Sequence, residues 1–271
     1  MVTGFLAEDV GSEDITANLI PQSTTATAQV ISRDKATIAG CAWFDEVFRQ
    51  LDTTIQIKWH VKDGDTVTEN TLLCEMLGNA RNLLTGERSA LNILQTLSAT
   101  ATLTKSYVDL VSHTSCKILD TRKTIPGLRD AQKYAVLCGG GTNHRMGLYD
   151  GILIKENHIM AAGSISAAVK QAQKLANNIA IEVEVENLGE LKQALDSGAD
   201  IVLLDNMDVE TLKQAVAINN GKAKLEASGN VNKNTVANIA ETGVDFISIG
   251  ELTKNIYAID LSMRFTTHPT H

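Results

Sequence analysis

The chain has 271 residues, 44% of them hydrophobic and 21% charged, with a formal net charge of −8. This is the balance of a folded globular protein long enough for one large α/β barrel or two ordinary domains. An acidic surface and an aromatic content of 4% speak against a general nucleic-acid or anionic-membrane surface and against a base-stacking platform.

The N-terminal stretch "MVTGFLAEDVGSED" has neither a basic nor an apolar region of the kind a signal peptide carries. No apolar run approaches the roughly 20 residues that span a bilayer. Residues 25–40 and 55–78 are rich in β-branched residues and partly alternate, so they read as strands joined by Asp-Gly turns. Residues 87–111 read as a long helix, with Leu91, Leu94, Leu97, Ala101 and Leu103 on roughly one stripe. Cys41, Cys74, Cys116 and Cys138 lack C-x-x-C spacing. They are expected to be reduced thiols in a cytoplasmic protein, not a zinc or redox site.

The pattern changes near residue 115 to strand-then-helix units. The predicted strands are 117–120, 151–155, 179–186, 200–206, 224–229 and 245–250. Helices between them start on Ser and Asp caps, in "SISAAVKQAQKLA" and "DVETLKQAVAI". "ALDSGADIVLLDN" and "IAETGVDFISIGE" echo each other. Each runs from a helix end through a Gly, suited to a left-handed cap, into an apolar strand. Such units imply a parallel sheet covered by helices, with a barrel favoured over an open sheet.

In that architecture chemistry gathers at the C-terminal ends of the strands. The first strand delivers Arg122 and Lys123, and the second Lys155. The third delivers Glu184, with Glu182 and Glu186 on the same face, and the fourth Asp205. The last two end in Ser228-Gly229-Asn230 and Gly250. "CGGGTNHRMGLYD" adds His144 and Arg145. Early strands therefore supply cations, middle strands carboxylates, and late strands small residues with free N–H groups. The carboxylates suit Mg²⁺ or sugar hydroxyls, and a phosphorylated sugar plus a small di-acid would satisfy all three sets. His60 and His158 read as structural or exposed, and Gly139–Gly141 as a hinge or helix terminator. None of the cysteines is placed as a nucleophile.

"DTRKTIPGLR", "GGGTNHRMGLYDGILIKENH", "EVEVEN", "LLDN", "EASGNV" and "ISIGELT" occur in order, after "EDVGSEDIT" and "TGERSALNIL". In these the chain resembles quinolinate phosphoribosyltransferase, the carboxylating nicotinate-nucleotide pyrophosphorylase family, along nearly its whole length. The resemblance implies an α/β fold with an N-terminal α/β sandwich domain and an open α/β barrel of the type II phosphoribosyltransferase kind. The expected bounds are 1–114, completed by about 266–271, and 115–265. It implies a Mg²⁺-dependent transfer of phosphoribosyl from phosphoribosyl pyrophosphate to quinolinate, releasing carbon dioxide and pyrophosphate and giving nicotinate mononucleotide for NAD biosynthesis. It also implies a homodimer or dimer-based assembly.

By the same resemblance, Arg122, His144 and Arg145 match the pocket for the two quinolinate carboxylates, and Arg88 the arginine supplied by a neighbouring subunit. Lys123 and Lys155 match lysines at the pyrophosphate and reacting centre. Glu184 and Asp205 match acids for the ribose hydroxyls and Mg²⁺, directly or through substrate or water. Ser228, Gly229 and Asn230, with Ile249, Gly250 and Glu251, match the 5′-phosphate site, and Thr121 contributes its backbone. Asn230 stands where relatives commonly have glycine. Molybdenum-transport-associated relatives of the same fold, with another acceptor, are the alternative. A second one, a biotinyl or lipoyl carrier, is suggested by "VKDGDTVTENTLLCEMLG", but no acceptor lysine sits at a matching place.

Overall fold

The computed structural model describes residues 1–175 and 179–268 and divides into two compact units. The first takes Met1–Leu103, Pro126–Gly140 and the chain from Asn255 onward; the second takes Thr104–Ile125 and Gly141–Lys254.

The first unit begins with helix α1 (Val2–Val10) and a 3-10 turn at Thr16–Leu19. Strands β1 (Thr25–Ser32) and β2 (Ala36–Thr37), helix α2 (Cys41–Leu51), strands β3 (Gln56–Trp59), β4 (Thr66–Val67) and β5 (Thr71–Asn79), and helix α3 (Ala80–Val111) follow. β1 alternates as an amphipathic strand should: Ala26, Ala28 and Val30 are buried against Phe44 and Phe48 of α2 and Leu83, Leu91 and Leu94 of α3. Asp63 holds the start of α2 by accepting the Gly40 and Cys41 N–H groups at 3.0 and 3.1 Å. A Cβ on Gly86 would lie 2.6 Å from the Phe48 ring, so this glycine is what lets α3 lie close on α2.

α3 starts earlier than the 87–111 predicted from its apolar stripe. The cause is a cap: the Asn79 side-chain oxygen accepts the Arg81 N–H at 3.0 Å, which starts the helix directly after β5.

In the second unit the order is β6 (Lys117–Leu119), β7 (Ile152–Ile154), β8 (Ile181–Val185), β9 (Ile201–Asp205), β10 (Lys224–Ser228) and β11 (Phe246–Ser248). They form one all-parallel sheet, ordered β6-β11-β10-β9-β8-β7. Helix α4 (Arg129–Cys138) lies between β6 and β7 in sequence, and α5 (Glu156–Ala162) and α6 (Ile165–Leu175) follow β7. α7 (Leu188–Asp196), α8 (Val209–Asn219), α9 (Val236–Ala240) and α10 (Glu251–Lys254) each follow one later strand. This is the open α/β barrel arrangement, with β6 and β7 as its edges. All six strands predicted from the sequence are present. So are the predicted caps: Ser164 Oγ accepts the Ala167 N–H at 3.1 Å, and Asp208 Oδ1 the Thr211 N–H at 2.8 Å. Gly198 and Gly243, which close the two echoed helices, have φ of 81° and 95°, the left-handed geometry that favours glycine.

The last strand, β12 (Leu261–His268), pairs antiparallel with β1, which lies between it and β5. The expected bounds of 1–114 and 115–265 differ from this division in three ways. The chain changes unit inside α3; Pro126–Gly140 returns to the first unit; and the C-terminal contribution begins before residue 266. The return has a packing cause, because Ala131 and Ala135 of α4 join a cluster with Ala39, Ile93, Leu97 and Ala101. Residues 269–271 lie outside the described residues. No helix among those described is long and apolar enough to cross a membrane.

Candidate active site

In the second unit the ends of the parallel strands collect the charged residues picked out in the sequence. The register places Asp205 of β9 opposite Ser228 of β10, and Glu184 of β8 opposite Leu203 of β9. Along β8, Ile181, Val183 and Val185 are buried on one face, while Glu182 and Glu184 alternate onto the other. Lys155 directly follows β7, and its ammonium forms an ion pair with the Glu184 carboxylate. The Lys155 N–H donates to His158 Nδ1 at 3.0 Å, so His158 caps α5. His60 pairs with Glu75 at 3.1 Å in the first unit.

Behind β6, Asp120 is fully buried. Its Oδ1 accepts the His144 N–H at 2.9 Å and its Oδ2 the Asn143 side-chain amide at 2.6 Å. This pins the 142–145 segment beside the residues that follow β6. Arg145 donates to the Gly151 carbonyl at 3.2 Å. Burial first, and the like charge of Arg122 second, pull the Arg145 pKa down. A guanidinium whose charge a neighbouring arginine disfavours suits a bound anion.

His144 is committed on both ring nitrogens. Nδ1 accepts the Arg145 N–H at 2.7 Å. Nε2 lies 3.1 Å from Glu182 Oε2 and 3.5 Å from Glu226 Oε2. Glu182 and Glu226 are 5% and 1% exposed. Burial, and then the charge of Glu182, push the Glu226 carboxyl up to about 8.

The loop after β10 is built from left-handed residues: Gly229 has φ 96° and Asn230 φ 53°, and Asn206 after β9 has φ 54°. A Cβ on Gly229 would stand 2.1 Å from Asn206 Oδ1. Asn230 also donates its amide to Asn206 Oδ1 at 3.2 Å. Asn230 thus takes up the positive φ that a glycine would, as short polar side chains can. Across from it, Lys123 runs over Gly250, where a Cβ would come within 3.2 Å of Lys123 Cδ. Thr121 Oγ1 accepts the Lys123 N–H at 3.1 Å, so its side chain shapes the turn. Thr253 Oγ1 fixes the Lys123 carbonyl at 2.8 Å. Ile249 is buried and its N–H donates to Leu119. Glu251 accepts the Tyr107 hydroxyl, so its carboxylate is held by α3.

Fourteen of the expected residues therefore belong to one unit, and Arg122, Lys123, His144, Arg145, Lys155, Glu184, Asp205 and the two small-residue loops stand at one edge of its sheet. Arg88 is exposed on α3 in the first unit. The sequence reading missed Asp120 and Glu226. Asp120 was visible only as the start of "DTRKT", and Glu226 only as a lone acid within "KLEAS". For a metal, Glu184 and Asp205 each offer hard oxygen ligands. Among the described residues the metal-capable group is His144, Glu182 and Glu226. Glu184 and Asp205 are not among them, and their oxygens are of the hard kind that Mg²⁺ takes beside water.

The family models that match are the two domains of quinolinate phosphoribosyl transferase. The model for the quinolinate phosphoribosyl transferase N-terminal domain matches residues 14–98, and that for its C-terminal domain residues 100–264. A probable carboxylating nicotinate-nucleotide pyrophosphorylase of Bacillus subtilis (strain 168) is 40% identical over 98% of this chain and 92% of its own. A chloroplastic carboxylating nicotinate-nucleotide pyrophosphorylase of Arabidopsis thaliana is 42% identical over 97% and 81%. The solved nicotinate-nucleotide pyrophosphorylase of Francisella tularensis superposes with a TM-score of 0.96 at 52% identity, over 98% of this chain and 94% of that one.

Proposed function

The chain belongs to the quinolinate phosphoribosyltransferase family, and from that premise we propose that it makes nicotinate mononucleotide from quinolinate and phosphoribosyl pyrophosphate. The observation that carries the reading is Arg145, whose charge burial and the neighbouring Arg122 disfavour, beside strand ends that hold carboxylates and a glycine-turned loop.

Each guanidinium offers paired donors to one quinolinate carboxylate, which fixes the ring nitrogen toward the ribose. The loops at Ser228-Gly229-Asn230 and Ile249-Gly250-Glu251 bring backbone N–H groups to the 5′-phosphate. Glu184 and Asp205 hold the ribose hydroxyls, and Lys123 and Lys155 lie where pyrophosphate departs. The bond from ribose C1 to pyrophosphate breaks as the bond to the pyridine nitrogen forms, and C1 is cationic between the two. The lysines stabilise the leaving charge, and the carboxylates the positive sugar. Bound Mg²⁺, held by Glu184, Asp205 and substrate oxygens, would add neutralisation of the pyrophosphate. The ring nitrogen then carries positive charge, so the neighbouring carboxylate can leave as carbon dioxide. Its electron pair stays on the ring carbon until a proton replaces it.

The assembly is a dimer or a multiple of one, with Arg88 entering the neighbour's site. Mixing inactive Arg88→Ala and Arg145→Ala proteins should restore about a quarter of the activity, since random pairing gives half the dimers one intact site of two. No recovery would place Arg88 outside the partner's pocket. For the activity itself, the protein is incubated with phosphoribosyl pyrophosphate, Mg²⁺ and either quinolinate or nicotinate, and nicotinate mononucleotide is followed by chromatography. Product from quinolinate alone is expected. Product from neither acid would defeat the reading.

A further inference from the structure

Among the described residues, those other than glycine with a positive φ are Asn70, Asn206, Asn220 and Asn230. Two of them have an ordinary task. Asn70 sits in the turn before β5, where its N–H donates to the Ser32 carbonyl, and Asn220 is the C-cap of α8. The other two meet each other. Asn230 Nδ2 donates to Asn206 Oδ1 at 3.2 Å, and neither residue closes a helix. Backbone held in this region costs free energy, and it gathers where a site must be preorganised.

In an extended strand, neighbouring side chains point to opposite faces. Asn206 directly follows β9, and its φ of 54° ends that alternation. Its amide is thereby brought back to the residue before it, and Nδ2 donates to Asp205 Oδ2 at 2.8 Å. The Asn206 N–H donates to the Ser228 carbonyl at 2.9 Å, which adds one rung between the ends of β9 and β10. A carboxylate only accepts, so Asp205 orients the amide and its oxygen is left for Asn230. That oxygen lies where a side chain on residue 229 would go, since a Cβ on Gly229 would stand 2.1 Å from Asn206 Oδ1 and 2.6 Å from Cγ. The missing side chain of Gly229 therefore makes room for the Asn206 amide. Oδ2 of Asp205 is engaged by the same amide, and Oδ1 is offered to a ribose hydroxyl.

We propose that Asn206 is a positioning residue for the phosphoribosyl half of the site. One amide ties the acid for ribose to the turn for the 5′-phosphate: it holds Asp205 through Nδ2, and Asn230 through Oδ1. The spacing of the two subsites is then set before substrate arrives, and the site favours a ribose that carries its phosphate at that span. Asn206 acts through Asp205 and the 229–230 turn and touches no reacting atom. The inference rests on the reading of Asp205 as a ribose ligand and of residues 228–230 as the phosphate loop. It leaves the di-acid pocket of Arg122, His144 and Arg145 unchanged.

Three variants test it, by kinetics and by calorimetric binding. Asn206→Gly is the sharpest, because glycine adopts a positive φ freely, so a residue that only makes the turn would be replaced without loss. Instead, the KM for phosphoribosyl pyrophosphate and the Kd for ribose 5-phosphate should both rise roughly 10- to 100-fold, the worth of one hydrogen bond to a charged group. The KM for quinolinate should not move, nor should the Kd for pyrophosphate, which meets the lysines. Asn206→Asp keeps an oxygen for Asn230 but loses the donor to Asp205 and sets a second charge beside it, so it should be at least as damaging. Asn230→Gly breaks one link only. It should cost less than Asn206→Gly and add nothing to it in the double variant. Wild-type constants in Asn206→Gly would make Asn206 a turn residue and overturn the inference. So would a rise shared by quinolinate or pyrophosphate, which is general damage, or full additivity in the double variant. If Asn206→Gly does not fold, Asn206→Asp is read in its place and must show the same split. A wild type that binds neither phosphoribosyl pyrophosphate nor ribose 5-phosphate would end the reading of the site and this inference with it. A wild type that binds both, with the contrary result in the variants, would end the positioning role only.

Discussion

Lys155 and Glu184 form an ion pair between the ends of two neighbouring parallel strands, with 47% and 21% of their side chains exposed. The pair joins a group proposed to meet pyrophosphate to one proposed to meet ribose, so the two should not act independently. Lys155→Ala is expected to lower kcat about 100-fold or more, the usual cost of removing one stabilising donor from a reacting centre. Adding Glu184→Gln to it should cost less than the sum of the two single losses. Strict additivity in this double-mutant cycle would mean that the pair is separate in the working enzyme.

Gly229→Ala should damage one substrate site selectively. The new Cβ would meet Asn206 Oδ1 at 2.1 Å, and the backbone stands at φ 96°. Strain of this kind costs about 1–3 kcal/mol, which thermal unfolding should register as a lower Tm. The KM for phosphoribosyl pyrophosphate is expected to rise while that for quinolinate stays put. A rise confined to quinolinate would move the phosphate site elsewhere.

Stability should depend on pH through Glu226. Burial and the charge of Glu182 raise its pKa to about 8, against the lowering effects of His144 and Ser248, whereas a glutamate in an unfolded chain ionises near pH ~4.3. Between these values the folded chain holds a proton that the unfolded chain has released, so stability falls as pH rises through that window and levels off above it. Glu226→Gln keeps the neutral shape and removes the slope. Its Tm advantage over wild type should be smallest at the acid end and grow toward pH 8. A constant difference across the range would refute the assignment.

The four thiols should be inert. Burial is the leading cause that pushes all of them up, Cys116 to about 12 and Cys41 and Cys74 further, and the thiolate is the reactive form. Iodoacetamide at neutral pH should leave the native protein unlabelled for as long as it takes to label all four in denaturant. Rapid native labelling with loss of activity would put a cysteine into the chemistry after all.

The strand ends were legible because a buried parallel strand is a run of apolar residues, and the first polar residue after it is displayed at the edge of the sheet. Lys155, Asp205 and Ser228 were read this way, and the left-handed Gly198 and Gly243 could be placed by the same logic. Glu226 could not, since it lies inside its strand, and only the neighbouring strands show that it is buried beside another acid. His144 could be recognised as a site residue, but its orientation depends on Asp120, Glu182 and the Arg145 main chain, three groups that no local pattern joins. The return of Pro126–Gly140 to the first unit was hidden for a similar reason. An alanine face such as that of Ala131 and Ala135 is ordinary in sequence, and its partners lie some 30 to 90 residues upstream.

The pairing of β12 with β1 sets an order on synthesis. β1 can join β5 and β3 early, but its other side remains an open edge until Leu261–His268 has left the ribosome, after every strand of the parallel sheet. An open edge is a template for other chains. During translation, the hazard for this protein thus lies in the antiparallel sheet, although that sheet is the one begun first.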